Sequence, residues 1–161
     1  AAFHSAKRGE PADPPIIEAV IPSVLDPTLI DTRGHHVMSF LCKYMPYDLS
    51  GGRSWDDEKG RIVQGIFSYV ERFIPRLRDI TVGYQCLTPL DLERMLGMTR
   101  GDICHGRLEP DQLFNMRPHP DAAQYATPVT GLYLCGSGAH PGGGVTGAPG
   151  HNAARRILKD A

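Results

Sequence analysis

The chain has 161 residues, a formal net charge of −1, 41% hydrophobic and 22% charged residues. That balance permits a packed core and excludes wholesale disorder and a basic footprint for nucleic-acid binding. No apolar run reaches the roughly 18 residues of a membrane-spanning helix, and no secretory leader pattern opens the sequence. Cys42, Cys86, Cys104 and Cys135 are widely spaced and read as reduced thiols, which places the protein in the cytoplasm.

Residues 1–15 are polar and proline-bearing, and read as a linker or mobile segment. Residues 16–21 (IIEAVI) form a short apolar run between prolines, a strand signal. Residues 22–33 carry two prolines and two aspartates and read as loop. Residues 36–43 (HVMSFLCK) follow a turn signal and are rich in strand formers. The clearest helix spans residues 55–74. Ser54 caps it, Asp56, Asp57 and Glu58 favour the positive end of its dipole, and Pro75 stops it. Its apolar face is Ile62, Val63, Ile66, Phe67, Val70, Phe73 and Ile74.

Residues 80–87 (ITVGYQCL) read as a further strand. Pro89 starts a short helix with Asp91 in its first turn, and Gly97 ends it. Residues 98–130 hold many turn formers and only short apolar pieces. Residues 132–135 (LYLC) read as a strand and residues 148–159 as a helix, with a glycine-rich turn between them. This order is mixed α/β without regular β-α-β alternation.

Eight of the eighteen glycines fall between Gly131 and Gly150. A strand, a glycine-rich turn and a helix make an anion site, because unpaired N–H groups and the helix dipole meet where no side chain blocks approach. Gly142–Gly147 matches G-x-G-x-x-G, yet six residues separate Cys135 from Gly142, and no acidic residue follows at the distance a ribose contact needs. A Walker loop fails because no Lys-Ser/Thr follows Gly147. The segment therefore reads as a strand and helix completing a nucleotide site begun elsewhere. The plainer alternative is packing: Gly147, Gly150 and Ala154 would share a helix face lying close to a sheet.

Residues 127–157 (TPVTGLYLCGSGAHPGGGVTGAPGHNAARRI) resemble the C-terminal flavin-binding signature of the phytoene desaturase-like, FAD-dependent oxidoreductases. Within that class they are most similar to the branch related to pyridine nucleotide-disulfide oxidoreductase domain-containing protein 2. Residues 21–29 (IPSVLDPTL), 87–106 (LTPLDLERMLGMTRGDICHG) and 111–120 (DQLFNMRPHP) are similar to segments of the same branch. The resemblance covers residues 15–157.

It implies an α+β fold: a mainly antiparallel substrate-side sheet with covering helices, partial here, over residues 16–126. The terminal strand and helix of an FAD-binding domain would follow over residues 127–161. The Rossmann unit that holds the FAD diphosphate would lie in an N-terminal region outside this chain. Gly136, Ser137 and Gly138 would lie beside the ribityl-diphosphate, and Gly143, Gly144, Val145 and Thr146 would bring a helix start to the flavin pyrimidine edge. His140 would line the cofactor cleft. Many flavoproteins place an acidic residue after this strand, where this chain has Ser137. The implied reaction is hydride transfer from a C–H bond of a small, apolar organic substrate to flavin.

His105 and Arg117 are the substrate-side candidates; for Arg117 the plainer reading is an exposed or ion-paired side chain. Neither the His35-His36 pair nor His105, His119, His140 and His151 have metal-ligand spacing, so no metal is expected. Cys104 and His105 face apart on an extended chain, which argues against a thiol nucleophile. Ser137 is not in G-x-S-x-G, so a hydrolase elbow does not apply. The competing class is a non-catalytic α/β module for partner binding or dimerisation. As a piece of a larger enzyme, the chain would expose apolar surface and self-associate.

Overall fold

Ile16–Val20 (β1) and Ser39–Lys43 (β2) pair antiparallel, with Ile16 opposite Lys43 and Val20 opposite Ser39. The computed structural model describes residues 1–106 and 109–161. Among them the fold is α+β: this two-stranded sheet and five helices, Ala2–Lys7 (α1), Trp55–Val70 (α2), Leu77–Ile80 (α3), Pro89–Leu96 (α4) and Ala148–Asp160 (α5). The chain divides into two units, Ala1–Leu90 and Asp91–Ala161.

In the first unit, Ile17 and Phe40 pack on a cluster of Val63, Phe67 and Val70 from α2 and Leu77 from α3. The alternation that sends Ile17, Phe40 and Cys42 to one face leaves Glu18 and Lys43 on the other, where they form an ion pair. Burial raises the Cys42 thiol above its usual range, and the neighbouring Cys86 adds to the effect. α2 starts as expected: Ser54 Oγ accepts the Asp56 N–H at 3.1 Å, and three acidic residues occupy the first turn. It ends at Val70, short of Phe73 and Ile74. The Glu71 carboxylate there accepts the Arg78 backbone N–H (3.1 Å) and pairs with its guanidinium, turning the chain back through a left-handed Arg76 (φ 63°).

Two other expectations are corrected. Residues 80–87 form no strand; α3 runs into Ile80, Thr81 Oγ1 bonds back to the Leu77 carbonyl (2.7 Å), and Ile80, Val82 and Tyr84 are exposed. A β-branched run becomes a strand only when a partner strand takes its backbone groups. β2 begins at Ser39 and not at His36, because Ser23 Oγ takes the Val37 N–H (3.1 Å) and meets His36 Nδ1 (3.0 Å). Residues 1–15 contain α1, and Gly9 lies directly against the turn at Asp48–Ser50: its carbonyl accepts the Ser50 N–H at 2.9 Å. Its φ of +75° and the 2.7 Å from a built Cβ to Ser50 N admit only glycine. Glu10 binds the Ser50 hydroxyl and pairs with Arg53.

In the second unit, the described residues between 98 and 130 are turns and short 3-10 helices, the irregular region expected. The run at 132–135 is not a full strand. It makes one isolated bridge, Ala126 to Tyr133, flanked by Leu134 N–H to Tyr125 O (2.8 Å) and Thr127 N–H to Leu132 O (3.1 Å). α5 forms where expected and buries Pro149 and Ala153. Ala153, not Ala154, therefore carries the packed face, closing with Tyr125, Ala139 and Leu134. Asn152 Nδ2 donates to the Tyr125 hydroxyl (2.9 Å). At the far end of α5, desolvation and then the Asp160 carboxylate raise the Tyr133 phenol, while Arg156 lowers Asp160.

Candidate functional site

The turn from Gly136 to Gly147 is built from backbone. Ala139 N–H donates to Gly136 O (2.9 Å) and Gly143 N–H to Ser137 O (3.1 Å), folding residues 136–143 back on themselves. Gly142, Gly143 and Gly144 then stand consecutively at φ 74°, 55° and 76°, a left-handed run that side-chain-bearing residues adopt only at a cost. Val145 projects fully into solvent. Thr146 Oγ1 accepts the Ala148 N–H (3.2 Å), and Gly147, again left-handed at φ 72°, leads into α5 without a side-chain cap of its own. The result is bare backbone leading to the positive end of a thirteen-residue helix.

One side chain holds this turn from behind. Arg117 is 0% exposed. Its guanidinium donates to the carbonyls of Cys104, His105 (3.3 Å) and Gly106 (3.5 Å). A Cβ built on Gly142 would lie 2.4 Å from Arg117 Nε and 2.7 Å from Cδ, so the glycine exists where the arginine needs the space. Among the described residues no carboxylate pairs with this cation. The reading of Arg117 as an exposed or ion-paired side chain is thus corrected on both counts.

The same contacts place His105. It adopts φ 54°, gives its carbonyl to Arg117, and sets its Cβ 3.7 Å from the position a Gly138 Cβ would take. His140 packs near Phe114 (ring centroids 6.3 Å apart), and its Nδ1 is buried without a partner. His140 Nδ1 and Arg117 Nε share that state among the described residues. His105, Arg117, Gly138 and Gly142 are brought together by these contacts, and Ser137 is tied to Gly143. Gly144, Val145 and Thr146 carry the turn on to α5, and Gly136 closes its start.

Gly142 and Phe114 are members of the site that were not named among its expected residues. Gly142 had a signal, as first glycine of the G-x-G-x-x-G match; Phe114 had none. Among the described residues, no three His, Cys, Asp or Glu side chains are grouped to hold a metal. No helix among them is long and apolar enough to cross a membrane. Chemically, a buried cation and a helix N-terminus behind side-chain-free backbone suit a flat, electron-rich or anionic group.

No protein-family model and no solved structure matches the chain. Curated relatives do. Pyridine nucleotide-disulfide oxidoreductase domain-containing protein 2 of Rattus norvegicus is 49% identical over 160 residues, 99% of this chain and 27% of the rat protein. A limonene dehydrogenase component from Castellaniella defragrans is 34% identical over 121 residues, 72% of this chain and 21% of that protein. Phytoene desaturase (lycopene-forming) of Pantoea ananas is 30% identical over 107 residues, 66% of this chain and 21% of that protein.

The chain is homologous to a C-terminal part of the phytoene desaturase-like oxidoreductases. Its branch is that of pyridine nucleotide-disulfide oxidoreductase domain-containing protein 2, of whose length it spans about a quarter.

Proposed function

We propose that this chain is the C-terminal part of a cytoplasmic, FAD-dependent oxidoreductase of the dehydrogenase or desaturase type, acting on a small apolar organic substrate. The observation that carries the reading is the glycine turn locked by Arg117 ahead of α5. It offers backbone without side chains, and a fixed positive charge, to a flat cofactor. The relatives named for limonene and phytoene support a reaction at a C–H bond. The diphosphate-binding Rossmann region would come from sequence N-terminal to residue 1.

FAD, when bound, supplies the hydride acceptor. Gly136, Ser137 and Gly138 would border its ribityl chain, and Gly143 to Thr146 its pyrimidine edge. There the α5 N-terminus stabilises negative charge. His140, with its buried Nδ1 unpartnered, would line the cleft. His105 and Arg117 would support the turn: the Arg117 side chain binds the His105 carbonyl and lies against Gly142, and the His105 Cβ lies beside Gly138. No catalytic base is assigned among these residues; orienting a C–H bond against the acceptor supplies part of the rate enhancement.

The test is the visible spectrum of the full protein carrying this sequence, purified and then titrated with FAD. A flavin spectrum with saturable quenching is expected, and a Gly143→Val change should weaken it. A full-length protein that neither carries nor takes up flavin would refute the reading.

A further inference from the structure

We infer that Arg117 is a positioning residue with an electrostatic role: its buried guanidinium fixes Gly142 and lends the glycine turn an uncompensated positive charge that favours the reduced form of a flavin held there. The inference rests on the flavoprotein reading above.

Burying a cation is costly, and the usual remedy is a paired carboxylate. Arg117 is 0% exposed and has carbonyl oxygens only. Carbonyl dipoles solvate a charge without cancelling it. Arginine, unlike lysine, keeps its charge when buried. The field therefore remains, and in a medium of low dielectric it reaches further than in water. It is delivered to one place, since Nε lies against Gly142 and Nε itself has no partner. The N-terminus of α5, reached from Gly142 through left-handed glycines, adds potential of the same sign.

Reduction by hydride gives the redox balance. The substrate C–H bond breaks with both electrons on the hydrogen, and the cation left behind loses a neighbouring proton to water as the new double bond forms. The ring gains two electrons and one proton in total, and one net negative charge appears on it. A fixed cation behind the turn stabilises that charge and not the neutral oxidised ring. A purely mechanical strut would hold Gly142 equally well and leave this preference untouched.

The deciding measurement is the reduction potential of the flavin bound to the full protein, by dithionite titration against reference dyes. In Arg117→Met the ratio of affinities for reduced over oxidised flavin is expected to fall about tenfold, a drop of about 30 mV for a two-electron couple. In Arg117→Lys, which keeps a charge but loses the fork, the ratio should stay within about threefold of wild type. Flavin bound to R117M at the wild-type potential overturns the inference and leaves the flavoprotein reading standing. Wild-type protein without flavin overturns both. If R117M does not fold, Gly142→Ala replaces it, because the added methyl displaces the guanidinium from the turn; an unchanged potential there overturns the inference equally.

Discussion

In the first unit, Val63, Phe67 and Val70 of α2 close on Leu77, Ile17 and Phe40, and the side chains of this cluster are all hydrocarbon. In the second unit the apolar cluster is small, Tyr125, Ala139 and Ala153, and the largest fully buried side chain is the cation Arg117. The first is stabilised by apolar area removed from water. The second is stabilised by carbonyl-to-guanidinium bonds and by glycines in conformations closed to other residues. Apolar packing tolerates volume-conserving change, whereas a site cut to the shape of one guanidinium tolerates little. The unit that resembles a cofactor site is thus the one whose construction leaves least freedom.

Because Trp55 is the single tryptophan and lies in the first unit, its fluorescence isolates that unit during unfolding, while hydrogen exchange in α5 follows the second. Phe67→Ala should have the largest effect, about 3–5 kcal/mol, since it empties the centre of the α2 face and removes the Tyr84 edge contact. That loss should show in the Trp55 transition. Arg117→Ala should cost about 3 kcal/mol by leaving a cavity and three carbonyls without their donor, seen as faster exchange in α5. If instead it shifts the Trp55 transition as much as Phe67→Ala does, the division between the two units is wrong. Ser54→Ala should cost about 1 kcal/mol through loss of the α2 cap, read from the same fluorescence.

The smallest effect is a pH dependence. Hydrogen bonds from Ser50 and then Arg53 hold the Glu10 carboxyl below its usual 4.5. A carboxyl lowered on folding contributes stability that is complete above its unfolded value and is lost as pH falls through the folded one. The difference in denaturation midpoint between wild type and Glu10→Gln should therefore be present at neutral pH and shrink on acidification below 4.5. A difference that stays constant with pH would remove the carboxylate from the account.

α2 was legible because its signals are local: a serine cap, three acids in the first turn and an apolar stripe at helical spacing. α5 was legible through Pro149 after Gly147, and the β1–β2 pair through two short apolar runs. Residues 80–87 carry the same strand signal as residues 16–21. Only the second run finds a partner, and partnership is a tertiary fact. The end of α2 depended on Glu71 reaching Arg78, which no periodicity encodes. At the candidate site the turn could be read from its glycines, but its anchor could not. The sequence singles out Arg117 as a substrate-side candidate and Gly142 as the start of the glycine motif, but nothing in it says that one packs against the other.

The clasp between Gly9, Glu10 and the turn at Ser50 bears on how this protein can be cut and joined. A boundary drawn at Pro15, where composition changes, would leave Ser50 N–H without its acceptor and Arg53 without the nearer of its two carboxylates, beside the Trp55 that starts α2. Fragments beginning after the clasp should be poorer folders than fragments that keep it. Proteases acting on the folded protein should spare Gly9–Glu10, for all its resemblance to a linker.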